Sequence, residues 1–145
     1  MTRSLVLFVH IAGVLAMFAG IALEAFGVEA ARKAAPRLSG IAVALTVVSG
    51  FYLGARFGVL RDVWLRASYA AIIVMAAAGA LARRSDTLLR ISLWVRTAFG
   101  LAVVFLMIAK PDGVESSVVL GLALGSSALV ALPKKQRQGV RLSRA

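Results

Sequence analysis

Five apolar stretches, each long enough to cross a lipid bilayer, dominate the sequence. They cover about 5–26, 38–57, 63–81, 91–109 and 114–132, and a charged or helix-breaking residue bounds each one. A spanning helix needs roughly 20 mostly apolar residues, because the hydrocarbon core is about 30 Å thick and a helix rises about 1.5 Å per residue. Since lipid cannot satisfy unpaired backbone groups, we expect an all-α transmembrane bundle of five spans, with residues 1–132 as its single domain.

Two of these stretches leave an alternative open. The third has a short uncharged centre, residues 67–82, so it must include residues 63–65 and let Arg66 extend to the membrane surface. If this stretch lay in the interface instead, the bundle would have four spans. The first stretch, with small residues near Ala22, also resembles a cleaved signal peptide, but its length and Glu24 favour a retained helix.

The connections between the spans are short and polar. Residues 28–37 carry three basic side chains beside Pro36, which predicts a turn in water. The Lys-Pro-Asp-Gly sequence at residues 110–113 is typical of a tight turn. We expect the basic tail, residues 133–145, to be disordered and cytoplasmic.

The basic residues predict an orientation, because cytoplasmic loops of membrane proteins are enriched in Lys and Arg. The net charge is +11, yet this placement does not favour a nucleic-acid partner. With five spans, one side of the membrane has Arg3, Arg56, Arg61, Arg66 and Lys110. The other side has eleven basic residues, namely Arg32, Lys33, Arg37, Arg83, Arg84, Arg90, Lys134, Lys135, Arg137, Arg141 and Arg144. We therefore expect a bacterial cytoplasmic membrane, with the N-terminus outside and the C-terminus in the cytoplasm.

Composition narrows the possible functions. With no Cys and one His, the chain has no disulfide, no Cys-ligated metal centre, no thiol nucleophile and no two-histidine motif of its own. The sequence also shows no Ser-His-Asp arrangement, no pair of carboxylates at one depth and no phosphate-binding glycine loop. We therefore favour a protein that is not an enzyme.

Small residues predict where helices pack, because helices in lipid associate through close backbone contact. Three glycine stripes occur: Gly50, Gly54 and Gly58 in the second span, Gly121 and Gly125 in the fifth, and Gly13, Gly20 and Gly27 in the first. Each stripe fits either dimerisation or packing within one chain. We expect packing within one chain for at least two of them.

Two ionisable residues lie at similar depth near the cytoplasmic side. Glu24 is close to the end of the first span, and Arg96 is roughly 8 Å into the fourth. Such groups cost on the order of 2.5–3.5 kcal/mol each inside a bilayer, so each needs a partner or a purpose. We expect a structural ion pair between them. The alternatives are that Arg96 extends to the surface, or that a proton or substrate binds here.

A second polar group is predicted in the outer half of the bundle. It consists of His10, Tyr52, Tyr69, Arg56, Arg66 and Trp64. One interpretation is an interfacial aromatic belt, with His10 hydrogen-bonded to a neighbouring helix. The other is a site for b-type haem or copper on His10, with Met75 or Met107 as second ligand, or for a quinone or small anion.

Short motifs along the chain carry a resemblance. They are FVHIAG with His10, SGFYLG, VWLRAS with Trp64, and LMIAKPDGVESS between the last two spans. In these motifs the chain resembles small bacterial integral membrane proteins of uncharacterised function and, loosely, the membrane region of copper-resistance-D-type proteins. The resemblance implies a helical bundle in a bacterial cytoplasmic membrane, with His10 as the one candidate metal ligand. The further His and Met residues of a dedicated copper pathway are missing.

We therefore expect a non-enzymatic membrane protein that is an accessory or assembly subunit or handles a small solute. Its partners would be the lipid bilayer and either a second copy of itself or another membrane protein. The alternative is a redox protein that binds haem, copper or quinone through His10. A transporter is less favoured, because transport sites form at broken helices and the predicted spans contain no internal Pro.

Overall fold

Five helices make up residues 2–131, which are the residues that the computed structural model describes. They are α1 (Thr2–Phe26), α2 (Glu29–Phe57), α3 (Val63–Leu81), α4 (Asp86–Ala109) and α5 (Gly113–Ala131), with a 3-10 turn at Ala82–Arg84 before α4. All five are long and apolar enough to cross a membrane. The predicted all-α bundle of five spans is confirmed. The tail predicted at residues 133–145 lies outside the described residues.

The outer surface of the bundle is apolar. Phe8, Ile41, Ile73, Ile108 and Leu122, one from each helix, are all exposed. A protein in water does not leave apolar surface of this extent uncovered. The chain is therefore a multi-pass membrane protein whose outward side chains face lipid.

A seam of small residues joins α1 to α2. Gly13 lies against Thr46 and Gly20 against Ser39, so residue numbers rise along one helix as they fall along the other. Five of the buried residues of α2 are Ala35, Ser39, Ala42, Thr46 and Ser49. Their spacing of four and three residues is that of a coiled-coil seam, and short side chains here let the backbones approach closely. The two helices form an antiparallel hairpin.

The main core lies between α1, α3 and α4. It includes Met17 and Ile21 of α1, Met75 of α3, and Phe99 and Val103 of α4, all buried. The α3 helix packs closely along α4, whereas α2 has little contact with α3. The predicted third span therefore belongs fully to the bundle, in contrast to the four-span alternative, and α2 is held mainly by α1.

The predicted turn at residues 28–37 is wrong, because only Gly27 and Val28 separate α1 from α2. Residues 29–35 consist of Ala, Glu, Arg and Lys, which are strong helix formers, and Glu29 pairs with Lys33 one turn later. The helix is 29 residues long, or about 43 Å, so its first turns extend beyond a hydrocarbon core of about 30 Å. Basic residues are tolerated there because they lie outside the lipid core.

Pro36 lies inside α2, close to its beginning. A proline has no N–H to donate to the carbonyl group four residues earlier, here that of Arg32. Both residues are exposed, so water can bind that carbonyl oxygen in place of the missing N–H. The sequence predicts a turn beside Pro36, but α2 continues through this residue.

The start of α4 also differs from the prediction, by five residues. Ser85 Oγ accepts a hydrogen bond from Leu88 N at 3.2 Å, and Asp86 lies in the first turn. Both features stabilise a helix N-terminus, which the apolar run beginning near residue 91 does not reveal. At 24 residues, or about 36 Å, α4 is also longer than a hydrocarbon core of about 30 Å, and we expect its polar first turns to extend beyond that core.

Candidate functional site

A cavity of about 340 Å³ opens at the end of the bundle where α1 ends and α2 and α4 begin. It is lined by Glu24, Glu29, Arg32, Lys33, Pro36, Gly79, Ala82, Leu89 and Arg96. These residues belong to α1, α2, α3, the 3-10 turn and α4. The cavity therefore lies between the α1–α2 hairpin and the α3–α4 hairpin, which have little contact through α2.

The floor of the cavity is an ion pair between the two hairpins. Arg96 Nη1 of α4 donates to Glu24 Oε2 of α1 at 2.5 Å. Both residues are buried, with 7% of Arg96 and 6% of Glu24 exposed. The structure thus brings together the two ionisable residues that the sequence places at similar depth.

Arg96 has further hydrogen-bonding capacity beyond the bond to Glu24. A guanidinium carries five N–H groups. Within residues 2–131, Nη1 is the only side-chain nitrogen of Arg96 that donates a hydrogen bond. The buried side-chain atoms in that range without a hydrogen-bond partner are Ser39 Oγ, Tyr69 Oη and Ser92 Oγ. Since no atom of Arg96 is among them and Arg96 lines the cavity, its unbonded side-chain nitrogens keep accessible surface there.

Gly79 of α3 lies beside the Arg96 side chain. A Cβ placed on Gly79 would lie 3.8 Å from Arg96 Cδ and 3.9 Å from its Nε, which is ordinary van der Waals contact. An Ala therefore fits at this position, whereas a larger side chain would enter the cavity.

The mouth of the cavity is formed by Glu29, Arg32 and Lys33. Glu29 and Lys33 pair at 2.8 Å, with 82% and 77% of their side chains exposed. In the part of the chain that the structure describes, Arg32 has no carboxylate partner. The lining thus contains three cations and two carboxylates, and each carboxylate already pairs with a cation. One positive charge is left in excess.

Within the described residues, no hydrogen bond joins the side chains of the predicted outer group to one another. Tyr52, Arg56 and Arg66 are exposed, and Trp64 Nε1 donates to Asp62 Oδ2 at 3.2 Å. Within residues 2–131, no hydrogen bond connects these side chains with His10 or Tyr69. The two tyrosines lie on α2 and α3, which have little contact with each other.

His10 instead faces α2. Its Nδ1 lies 3.0 Å from the carbonyl oxygen of Thr46 and 3.1 Å from Ser49 Oγ. Because a carbonyl oxygen only accepts, Nδ1 of the neutral ring donates, and Nε2 keeps a lone pair. A Cβ on Gly50 would lie 3.0 Å from His10 Cε1, so this glycine makes room for the ring.

The methionines predicted as further ligands lie at another interface. Met75 is part of the core between α1, α3 and α4, and Met107 packs against that core, whereas His10 bonds to α2. Among the described residues, no three His, Asp or Glu side chains group closely enough to hold a metal ion.

The predicted glycine stripes divide into packed and unpacked positions. Gly54 lies against Leu60 and Leu65 within the chain, as Gly13 and Gly20 lie against α2. Gly58, at φ 72°, ends α2 by donating its N–H to Ala55 O, so it terminates the helix instead of packing. Gly121 and Gly125 are exposed, and in the described part of the chain no atom beyond their own stretch of helix lies within 4 Å of their Cβ positions. Their predicted role in packing, with a second copy or another partner, stays a prediction.

Comparison with known proteins finds no relative of this chain. No protein-family model, no curated protein and no solved structure matches the chain. The resemblance to copper-resistance-D-type proteins therefore stays a prediction, and function has to be argued from the geometry of the cavity.

Sequence reasoning identified the floor of this cavity but missed its mouth. The sequence places Arg32 and Lys33 only in a predicted loop on the cytoplasmic side. The signal that would have found them is the Glu29–Lys33 spacing in an alanine-rich segment, which predicts a helical turn next to the end of α1.

Proposed function

We propose that the protein is a non-enzymatic membrane protein that binds a small solute in the cavity between its two hairpins. The observation that carries this proposal is the ion pair of Glu24 and Arg96 at the cavity floor. A buried ion pair is weak evidence of stability, because apolar residues of similar volume often stabilise a protein as much or more. An arginine whose remaining N–H groups reach a cavity serves binding better than it serves packing.

The cavity is suited to binding rather than to chemistry. Its volume lies in the range of about 300–1,000 Å³ that is typical of small-molecule sites. None of its nine lining residues has a hydroxyl, thiol or imidazole group. Its deep carboxylate already accepts a hydrogen bond from Arg96, so the lining holds no activated nucleophile and no evident general base.

We further propose that the cavity end faces the cytoplasm of a bacterial cell and that the N-terminus lies outside. Support comes from the sequence, in which five spans predict eleven basic residues on one side of the membrane against five on the other. The exposed Arg32, Lys33 and Arg37 at the cavity end belong to the larger set. A solute would then enter from the cytoplasm or from the cytoplasmic leaflet.

Filling the cavity is expected to abolish solute binding. The test measures the thermal unfolding midpoint of detergent-purified protein with phosphate, sulfate, citrate, putrescine or glucose, because a ligand that binds only the folded state stabilises it. We expect at least one of these solutes to raise the midpoint of the wild type but not of Gly79→Leu. Gly40→Leu is the matched control, because nothing lies within 4 Å of the Gly40 Cβ position.

A second cavity-filling variant, Ala82→Leu, keeps the test decisive if Gly79→Leu does not fold. The solute-binding proposal fails if none of these solutes, and no phosphate ester in free form or on a lipid, shifts the wild-type midpoint. It also fails if the shift persists in both cavity-filling variants.

The redox alternative has one specific observation in its favour. Histidines that bind metals usually donate their other ring N–H to a carbonyl or carboxylate, as His10 Nδ1 does to Thr46 O. Under the solute-binding proposal we expect protein purified from a haem-replete host to show no Soret band and no stoichiometric copper. A stoichiometric Soret band that disappears in His10→Ala would replace this proposal with the redox function.

A further inference from the structure

Given the solute binding proposed above, we infer that the cavity takes a phosphate ester, carried on a lipid headgroup or free in water. The residues that would hold the phosphate group are Arg96 at the floor and Arg32 and Lys33 at the mouth.

The charges of the lining select an anion. Glu24 and Glu29 are each in an ion pair, so neither is available to bind a cation. Arg32 has no carboxylate partner in the described part of the chain, and Arg96 keeps N–H groups that reach the cavity. A ligand therefore meets donors and positive charge on both walls.

The arrangement of these donors suits a phosphate group better than a carboxylate. Arg32 and Lys33 belong to α2, and Arg96 belongs to α4 across the cavity. A tetrahedral phosphate directs its oxygens to different sides, so cations on two walls can each bind one. The two oxygens of a carboxylate lie in one plane and point to the same side. Arginine also provides a planar fork of N–H groups that matches phosphate geometry.

The level of the cavity in the membrane also fits a phosphate. The first turns of α2 and α4 extend beyond the hydrocarbon core, so the mouth lies at the depth of the lipid headgroups. Exposed Arg37, Arg84 and Arg90 add positive charge at this end. Basic pockets between transmembrane helices on the cytoplasmic side are a recurring mode of binding anionic headgroups. Pro36, Ala82 and Leu89 supply apolar wall for the ester's carbon chain.

The test compares five probes on the detergent-purified full-length protein. Dioleoyl phosphatidic acid and glycerol 3-phosphate carry the phosphate ester on a lipid and in free form. Dioleoylglycerol, oleate and sulfate control for a lipid without phosphate, for an anionic carboxylate and for ionic strength. The apparent dissociation constant is measured from the probe-dependent rise of the thermal midpoint. We expect at least one phosphate ester to bind at least tenfold more tightly than all three controls.

Two charge variants locate the binding. Arg32→Gln combined with Lys33→Gln is expected to weaken phosphate-ester binding at least tenfold, and both residues are exposed, so the protein should still fold. Arg37→Gln combined with Arg90→Gln removes the same charge from exposed residues that do not line the cavity, and we expect a change below threefold. Binding of phosphatidic acid alone identifies the lipid headgroup as the source. Binding of glycerol 3-phosphate shows that the free ester suffices.

The inference is overturned if oleate or sulfate binds as tightly as the phosphate esters, or if both charge variants lose binding equally. If no phosphate ester binds while citrate or another solute stabilises the wild type and not Gly79→Leu, the inference falls and the solute-binding proposal stands. If no probe of any class binds, both fall.

Discussion

Glu24→Gln is expected to lower the free energy of unfolding by about 2–4 kcal/mol, because it leaves the Arg96 guanidinium buried without a negative partner. Breaking a buried ion pair typically costs about 3–5 kcal/mol. We expect a somewhat smaller loss here, because the cavity lets some solvent reach the guanidinium. The pair also joins α1 to α4, so the loss should appear as weaker association of the two hairpins. The measurement is the thermal or denaturant midpoint in detergent.

Arg96→Gln is expected to cost less than Glu24→Gln. A carboxyl group left alone can take up a proton and become neutral, whereas a guanidinium stays charged. The double variant should cost less than the sum of the two single variants, by about 0.5–3 kcal/mol. Strictly additive losses would show that the two side chains do not interact in the folded protein.

Glu29→Gln is the matched control for this cycle. Glu29 is also a carboxylate in an ion pair that lines the cavity, but 82% of its side chain is exposed. Exposed pairs contribute little, so its loss should leave the midpoint nearly unchanged. Comparison of the two variants separates burial of the pair from the loss of one negative charge.

Gly20→Leu is expected to be the most damaging glycine substitution, with a loss on the order of 3 kcal/mol or more, or no folded protein at all. A Cβ at Gly20 would already overlap Ser39 Oγ, so the helices would have to separate along their seam. The α2 helix has little other support, because it contacts α3 only slightly. The measurement is the yield and thermal midpoint of monodisperse protein in detergent.

Gly125→Leu makes the same change in composition at an open position. Among residues 2–131, no atom beyond its own stretch of helix lies within 4 Å of the Gly125 Cβ position, and Leu is a better helix former than Gly. We expect an unchanged or slightly raised midpoint. Equal losses for Gly20→Leu and Gly125→Leu would contradict the assignment of the α1–α2 seam, or show that the exposed face of α5 is itself covered by a partner.

The ion pair has a consequence for binding as well as for stability. Glu24 holds one N–H group of Arg96, which restricts the guanidinium while its other N–H groups reach the cavity. A donor held in place in this way loses less conformational entropy when a ligand binds. Glu24→Gln is therefore expected to weaken solute binding even under conditions where the variant remains folded.

Hydropathy and charge along the chain were enough to predict five membrane helices and to place Glu24 and Arg96 at similar depth. These are properties of single segments, because the bilayer acts on each helix through its length and polarity. Hydropathy alone also explains why the sequence predicts the wrong start for α2. Residues 29–37 are too polar for the lipid core, yet their helix propensity continues the helix into the headgroup layer.

Only the tertiary structure decided which helices are neighbours. Lipid is as apolar as the helices themselves, so hydropathy does not select one neighbour over another. Steric fit between Gly20 and Ser39 selects α2 for α1, and the pairing of Glu24 with Arg96 connects α1 to α4. This arrangement gives α2 little contact with α3 and leaves the cavity between the hairpins. Such fit is a property of two helix surfaces together and cannot be read from either segment alone.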